Sequence, residues 1–214
     1  MSNLLPTLDK YLLRTIPPRS KTLTEMERYA ARVDFPIIGP VAGRLLYQQA
    51  LLCGAKTPKG KVRIFELGSG YGYSAFWFSL ALGARAEIHL TDNDEANFER
   101  ARKYFKQGRL ASKFVFHAGD ALESFHKARG KVDIVLNDIH KEDYPTVVKA
   151  VVPRLNKGGL LISDNLIWSG KVFGKNRDKA TRCIREYTKL VYKHPKLFTT
   201  IIPIRDGVAV SVKL

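Results

Sequence analysis

At 214 residues and 45% hydrophobic, the chain is long enough for one domain with a full core, and no apolar run approaches a membrane span. Lys and Arg number 36 against 20 Asp and Glu, a net +16. Such an excess attracts polyanions, nucleic acid above all, or else marks only a lysine-rich soluble surface. The first 21 residues lack the apolar block of a signal peptide, and Cys53 and Cys183 fit no metal spacing, so a cytoplasmic protein with reduced thiols is expected.

Pro17 and Pro18 divide a first segment from "TEMERYAARV", where Thr24 and Glu27 stand at capping-box spacing and predict a helix start. Residues 1–55 are expected to be a helical cap over a catalytic core at 60–214, all one domain. Strand-like runs follow at 62–67, 86–91, 113–118, 132–137 and 158–163, with helix-like segments near 72–83, 94–107, 120–129 and 143–155 between them. That alternation predicts βαβ units and a doubly wound parallel sheet, an α/β fold. A loop at 164–176 and a helix near 177–193 precede "LFTTIIP" and "GVAVSVK", an antiparallel pair expected at one sheet edge. Arg182, Arg185, Lys189 and Lys193 are spaced as one basic stripe on that helix. Ala180, Cys183, Ile184, Tyr187, Leu190 and Val191 are expected to face the core.

Chemistry gathers where strands end. "FELGSGYGYSAF" follows the first strand, and Gly68, Gly70 and Gly72 let the backbone turn sharply and approach a ligand at a helix N-terminus. The dinucleotide fingerprint wants a further glycine where Tyr73 stands. Asp92, in "LTDND", is placed to take the hydroxyls of a ribose, which suits NAD or S-adenosylmethionine alike. Asp120 reads equally well as a helix N-cap, with Glu123 completing a box, and as a contact to an adenine ring. Asp138 ends the fourth strand and Asp164 with Asn165 ends the fifth. Neighbouring strands would bring these three oxygen ligands together, a set for a hard divalent cation rather than zinc. Lys141 lies one turn past Asp138, where a nearby cation would lower its pKa towards that of a general base.

The stretches "ELGSGYGYSA", "TDND", "GDALE", "NDIHKEDY" and "SDNLIWSG" together resemble the successive motifs of the metal-dependent O-methyltransferases, a family of catechol and caffeoyl-CoA enzymes and small bacterial relatives. The resemblance runs over roughly residues 24–214, including "IIPIRDGVAVS". It implies a single Rossmann-like, seven-stranded, mostly parallel sheet with the last strand antiparallel. Glu66, Gly68, Ser69 and Ser74 would hold the methionine end of S-adenosyl-L-methionine, and Asp92 its ribose. Asp120, Ala121 and His140 would lie near the adenosine, and Ile38 in "FPIIGP" would close over it. Asp138, beside the cofactor, would join Asp164 and Asn165 on Mg²⁺ (or Mn²⁺ or Ca²⁺), and Lys141 would deprotonate the acceptor.

The implied reaction is methyl transfer to one hydroxyl of a catechol-like vicinal dioxygen on a small molecule, by a homodimer with no membrane partner. Departures are Asn137 for an apolar residue and His140 for the commoner Asp or Trp. No acid matches the one that catechol enzymes use beside their substrate; Thr200 lies near that place and argues against a mammalian-type catechol. The alternative acceptor is tRNA, since some bacterial relatives methylate 5-hydroxyuridine. An NAD-dependent dehydrogenase is disfavoured by Tyr73 and by the metal triad.

Overall fold

The structure, a computed structural model, describes residues 4–56 and 60–214, with side chains from residue 7 onward. The strand-like runs form β1 (Val62–Leu67), β2 (Ala86–Asp92), β3 (Lys113–Ala118), β4 (Val132–Asn137), β5 (Leu155–Ser163), β6 (Leu197–Ile202) and β7 (Val208–Lys213). They pair in one sheet of order 3-2-1-4-5-7-6, parallel from β3 through β5, with β7 reversed against both β5 and β6. This is the expected seven-stranded sheet, its hairpin at one edge.

Around it lie α1 (Leu4–Thr15), α2 (Lys21–Val33), α3 (Gly39–Ala55), α4 (Tyr73–Leu82), α5 (Glu95–Gln107), α6 (Ala121–Lys127), α7 (Tyr144–Val151) and α8 (Lys179–Lys193). Period-two alternation in β1 sorts its side chains between two cores. Val62 and Ile64 join the α2–α5 side with Leu46, Phe76 and Phe105, whereas Phe65 and Leu67 join the α6–α8 side with Phe125, Val147 and Ile184. The same period sets Glu66 in phase with Ile64, towards α4. Helix α4 is apolar nearly all round because it is buried between the sheet and α3.

Local expectations on two helices are corrected. Helix α2 begins at Lys21, not at Thr24: Ser20 caps it, its hydroxyl accepting from the Leu23 amide at 3.3 Å. Thr24 instead donates to the Ser20 carbonyl, and Glu27 is held by the Arg19 guanidinium and the Tyr73 hydroxyl. A charged, forked donor outcompetes a backbone amide for that carboxylate. On α8, Ile184, Tyr187 and Val191 are buried as expected, but Leu190 is exposed. Arg185 leaves the basic stripe, because its guanidinium donates to the carbonyls of Lys171, Val172, Gly174 and Asn176 and so pins the preceding loop.

Because the chain runs outward from β1 to β3 and then returns to place β4 beside β1, a crevice opens between the loops that leave those two strands. Pairing continues one residue past the strand ends. The Asp138 amide donates to the Leu67 carbonyl at 2.9 Å, and the Asp164 amide to the Asn137 carbonyl at 3.1 Å. The residues after β1, β4 and β5 therefore stand side by side. Among the described residues, no helix is long and apolar enough to cross a membrane.

Candidate active site

The glycine loop lies in that crevice. Gly68, Gly70 and Gly72 have φ of 80, 50 and 81°, the left-handed region that glycine enters without strain. A Cβ on Gly68 would lie 2.6 Å from the Asp138 carbonyl oxygen. The glycine is thus required by the close approach of the two loops as much as by a ligand.

A cavity of about 1030 Å³ opens above the loop. Its lining includes Ile38, Gly68, Ser69, Ser74, Asp92, Asp120, Ala121, Asp138, His140, Lys141, Asp164 and Asn165. Residues expected from five separate strand ends and the cap thus share one space. Glu66 does not line it, but is buried completely beneath, with neither carboxylate oxygen hydrogen-bonded. Burial pushes Glu66 up to about 8; the Ser74 hydroxyl pulls it back and the Asp138 charge pushes it further up. A partner that brings positive charge to the cavity floor would satisfy it.

Asp92 divides its oxygens. Oδ1 accepts from the Asp94 amide at 2.9 Å and from Asn97 Nδ2 at 3.0 Å, while Oδ2 has no partner among the described residues. The carboxylate is therefore oriented with one oxygen available to a ligand. Asp120 is an N-cap, accepting from the Glu123 amide at 2.8 Å. The reciprocal half of the expected box is missing, since the Glu123 carboxylate pairs with Lys127 one turn on. Asp120 nonetheless stays on the cavity rim, so the capping and ligand roles are compatible. His140 is exposed there.

At the other end, Lys141 is buried to 8% exposure and its Nζ donates to Asp138 Oδ1 at 2.9 Å and to the Tyr144 hydroxyl at 2.8 Å. Tyr144 in turn donates to the Asp164 carbonyl at 2.9 Å, tying the loops after β4 and β5 together. Burial raises the Asp138 carboxyl, with the Lys141 charge acting against it. Burial and the Asp138 charge raise Asp164 to about 7, opposed by the Asn165 amide. Two carboxyls that burden each other in this way are relieved by a cation between them.

Asp138 Oδ2, Asp164 Oδ2 and Asn165 Oδ1 have no partner among the described residues, because Lys141, the Asn165 amide and Asp206 occupy the other atoms of those groups. Asn165 turns the chain at φ 61°, a conformation asparagine tolerates. Three uncommitted hard oxygen donors, two carboxylates and an amide, are the donor chemistry of Mg²⁺ or Mn²⁺; among the described residues no group of three His, Cys, Asp or Glu is arranged to hold a metal.

Two further residues line this end of the cavity and two more hold its lining residues from behind. Trp168 and Arg205 line it, and Asp206 accepts from the Ser169 amide at 2.5 Å and from Asn165 Nδ2 at 3.5 Å. Tyr144, the last residue of the quoted "NDIHKEDY", is the fourth and has no role assigned there. Thr200, by contrast, is exposed on β6 and does not line the cavity; the nearest acid from the β6–β7 hairpin is Asp206, which reaches the site through Asn165.

The family model described as O-methyltransferase matches residues 21–214. The caffeoyl-CoA O-methyltransferase 2 of Eucalyptus globulus is 25% identical over 94% of this chain and 86% of its own length. The catechol O-methyltransferase of Niastella koreensis is 23% identical over 99% of this chain and 98% of its own length. In three dimensions, an O-methyltransferase from Bacillus cereus, solved in complex with SAH, superposes with a TM-score of 0.85 over 100% of both chains at 21% identity.

Proposed function

The chain belongs to the O-methyltransferase family, and from that premise we propose that it moves a methyl group from S-adenosyl-L-methionine to one hydroxyl of a small vicinal-dioxygen acceptor, with a divalent cation. The observation that carries the reading is the pairing of two unmet demands at one cavity: a fully buried carboxylate beneath its floor and three uncommitted oxygen donors in its lining.

Glu66 would face the cofactor's amino group, Ser74 its carboxylate, and the free oxygen of Asp92 its ribose. Ile38, 7% exposed, contributes the apolar wall that excludes water. S-adenosyl-L-methionine, when bound, supplies the activated methyl group. Asp138, Asp164 and Asn165 would hold the cation, whose chemistry is to lower the pKa of an acceptor hydroxyl.

Lys141 accepts the proton of that hydroxyl, and its geometry explains how it is held for the task. Its Nζ is fixed between Asp138 and Tyr144, and Tyr144 is anchored to the β5 end. The lysine cannot swing away from the cavity without breaking both bonds, so its proton-accepting atom stays aimed at one place.

The test is labelled methyl transfer to a panel of catechols, with and without exhaustive chelation. Transfer to a vicinal diol, lost on chelation and restored by Mg²⁺ or Mn²⁺, is expected. Full activity in chelated, metal-free protein would overturn the cation; transfer only to acceptors with a lone hydroxyl would overturn the dioxygen.

A further inference from the structure

A second concave surface, of about 450 Å³, lies between α5, the turn that follows it and the edge strand β3. Arg102, Lys106 and Arg109 line it together with Phe105, Phe114 and Phe116, and no acid does. All three cations are exposed, and among the described residues none has an ion-pair partner. Arg102 lies over the Phe116 ring, 4.2 Å from its centroid, and Phe105 stacks on Phe114 at 4.0 Å.

Cations near a helix C-terminus complement its dipole, and long basic side chains cover aromatic surface. Those effects account for a basic residue here or there. They do not account for three unpaired cations around an aromatic hollow with no acid among them, in a chain of net +16.

We propose that this groove binds single-stranded nucleic acid, with backbone phosphates on Arg102, Lys106 and Arg109 and a base stacked against the Arg102–Phe116 pair. Aromatic and guanidinium faces accept any base, and a row of cations follows the backbone, the two parts of single-strand recognition. The groove also points somewhere. Strand β3 runs from Phe114 and Phe116 towards Gly119 and Asp120 on the rim of the large cavity. At ~3.3 Å per residue, Phe116 and Asp120 are at most about 13 Å apart, within reach of a few nucleotides from the groove. The basic stripe expected on α8 has no such hollow, and it has lost Arg185 to its own loop.

Binding of a labelled single-stranded RNA of about 12 nucleotides, followed by fluorescence anisotropy across a salt series, tests the proposal without reference to methyl transfer. Arg102→Glu with Lys106→Glu should weaken binding at least tenfold. It should also reduce the slope of log affinity against log salt by about 1.4, at ~0.7 for each lost phosphate contact. Arg182→Glu with Lys189→Glu, the same charge change on exposed α8 positions, should leave the slope intact. An abasic strand of equal length should bind at least about fivefold more weakly than the RNA. If the reversals unfold the protein, as thermal melting would reveal, Arg102→Gln with Lys106→Gln takes their place and should shift the slope in the same direction. Equal weakening by both pairs would reduce the effect to net charge. Equal binding of the abasic strand would remove the stacked base, and no binding near physiological salt would remove the site; each overturns the proposal.

Discussion

Glu66→Gln should remove the largest part of a loss of stability that the ligand-free protein suffers as pH rises. Folded, Glu66 keeps its proton up to about 8; unfolded, it ionises near the ordinary 4.5. Between those values the folded state binds more protons than the unfolded, so stability falls with rising pH. At ~1.36 kcal/mol per pH unit, the loss between about pH 5 and pH 8 is about 3–4 kcal/mol. Glutamine has no proton to lose and escapes it. His89 and His117 act in the opposite sense: burial holds both below 6.5, so they contribute stability that is lost as pH falls through that value. Their contribution is common to both proteins, whereas Asp164, raised to about 7, and Asp138 lose stability in the same sense as Glu66; the difference between variant and parent reads Glu66 together with its coupling to Asp138. Urea denaturation at four pH values should show the variant gaining on the parent as pH rises, although it binds S-adenosylhomocysteine more weakly. Calorimetry in buffers of different ionisation enthalpy should show proton release when the parent binds that ligand at neutral pH. Parallel stability curves for the two proteins would refute the buried, protonated carboxyl.

Lys141→Ala should lower kcat by roughly 10²–10⁴-fold, the range for a general base, with little change in cofactor affinity measured by calorimetry. Asp164→Ala should abolish both turnover and the binding of Mn²⁺ seen by electron paramagnetic resonance, while S-adenosylhomocysteine still binds; undiminished Mn²⁺ binding would move the cation elsewhere. Arg185→Ala should leave four loop carbonyls without their donor. Limited proteolysis should then cut within residues 171–176 faster than in the parent, and an unchanged cleavage pattern would deny Arg185 its pinning role.

The strands were legible where alternation and flanking turn residues agreed, and their limits failed where pairing decided them. β5 begins at Leu155, three residues before the apolar run that betrays it, because Leu155 pairs with Val132 before the register shifts at Ile134. No local pattern in "LNKGG" announces that. Helix α7 stops at Val151, with Pro153 in the short 3₁₀ turn that follows, which shortens the helix expected up to 155. In the site, the acids were legible because strand ends are where a parallel sheet presents its chemistry. Tyr144, Trp168, Arg205 and Asp206 were not, since their neighbours are set by tertiary structure alone.

Asp206 shows why. It sits in the hairpin turn between β6 and β7, 41 residues after Asn165. Only the strand order, with β7 inserted between β5 and β6, brings that turn against the end of β5, where its carbonyl accepts from the Ile167 amide at 2.8 Å. A turn so placed has two duties: it closes the hairpin, and its carboxylate takes the Asn165 amide nitrogen, leaving the amide oxygen uncommitted. An Asp-Gly turn signal in sequence announces only the first. The second depends on which edge of the sheet the reversed strand joins. That choice is made by burial of Ala209 and Val210 against β5, where Ala209 pairs with Ser163, the residue before Asp164. The geometry around Asn165 is therefore set by the packing of β7 on β5, and substitutions in β7 that slip its register should disturb Asn165 before they touch Asp138.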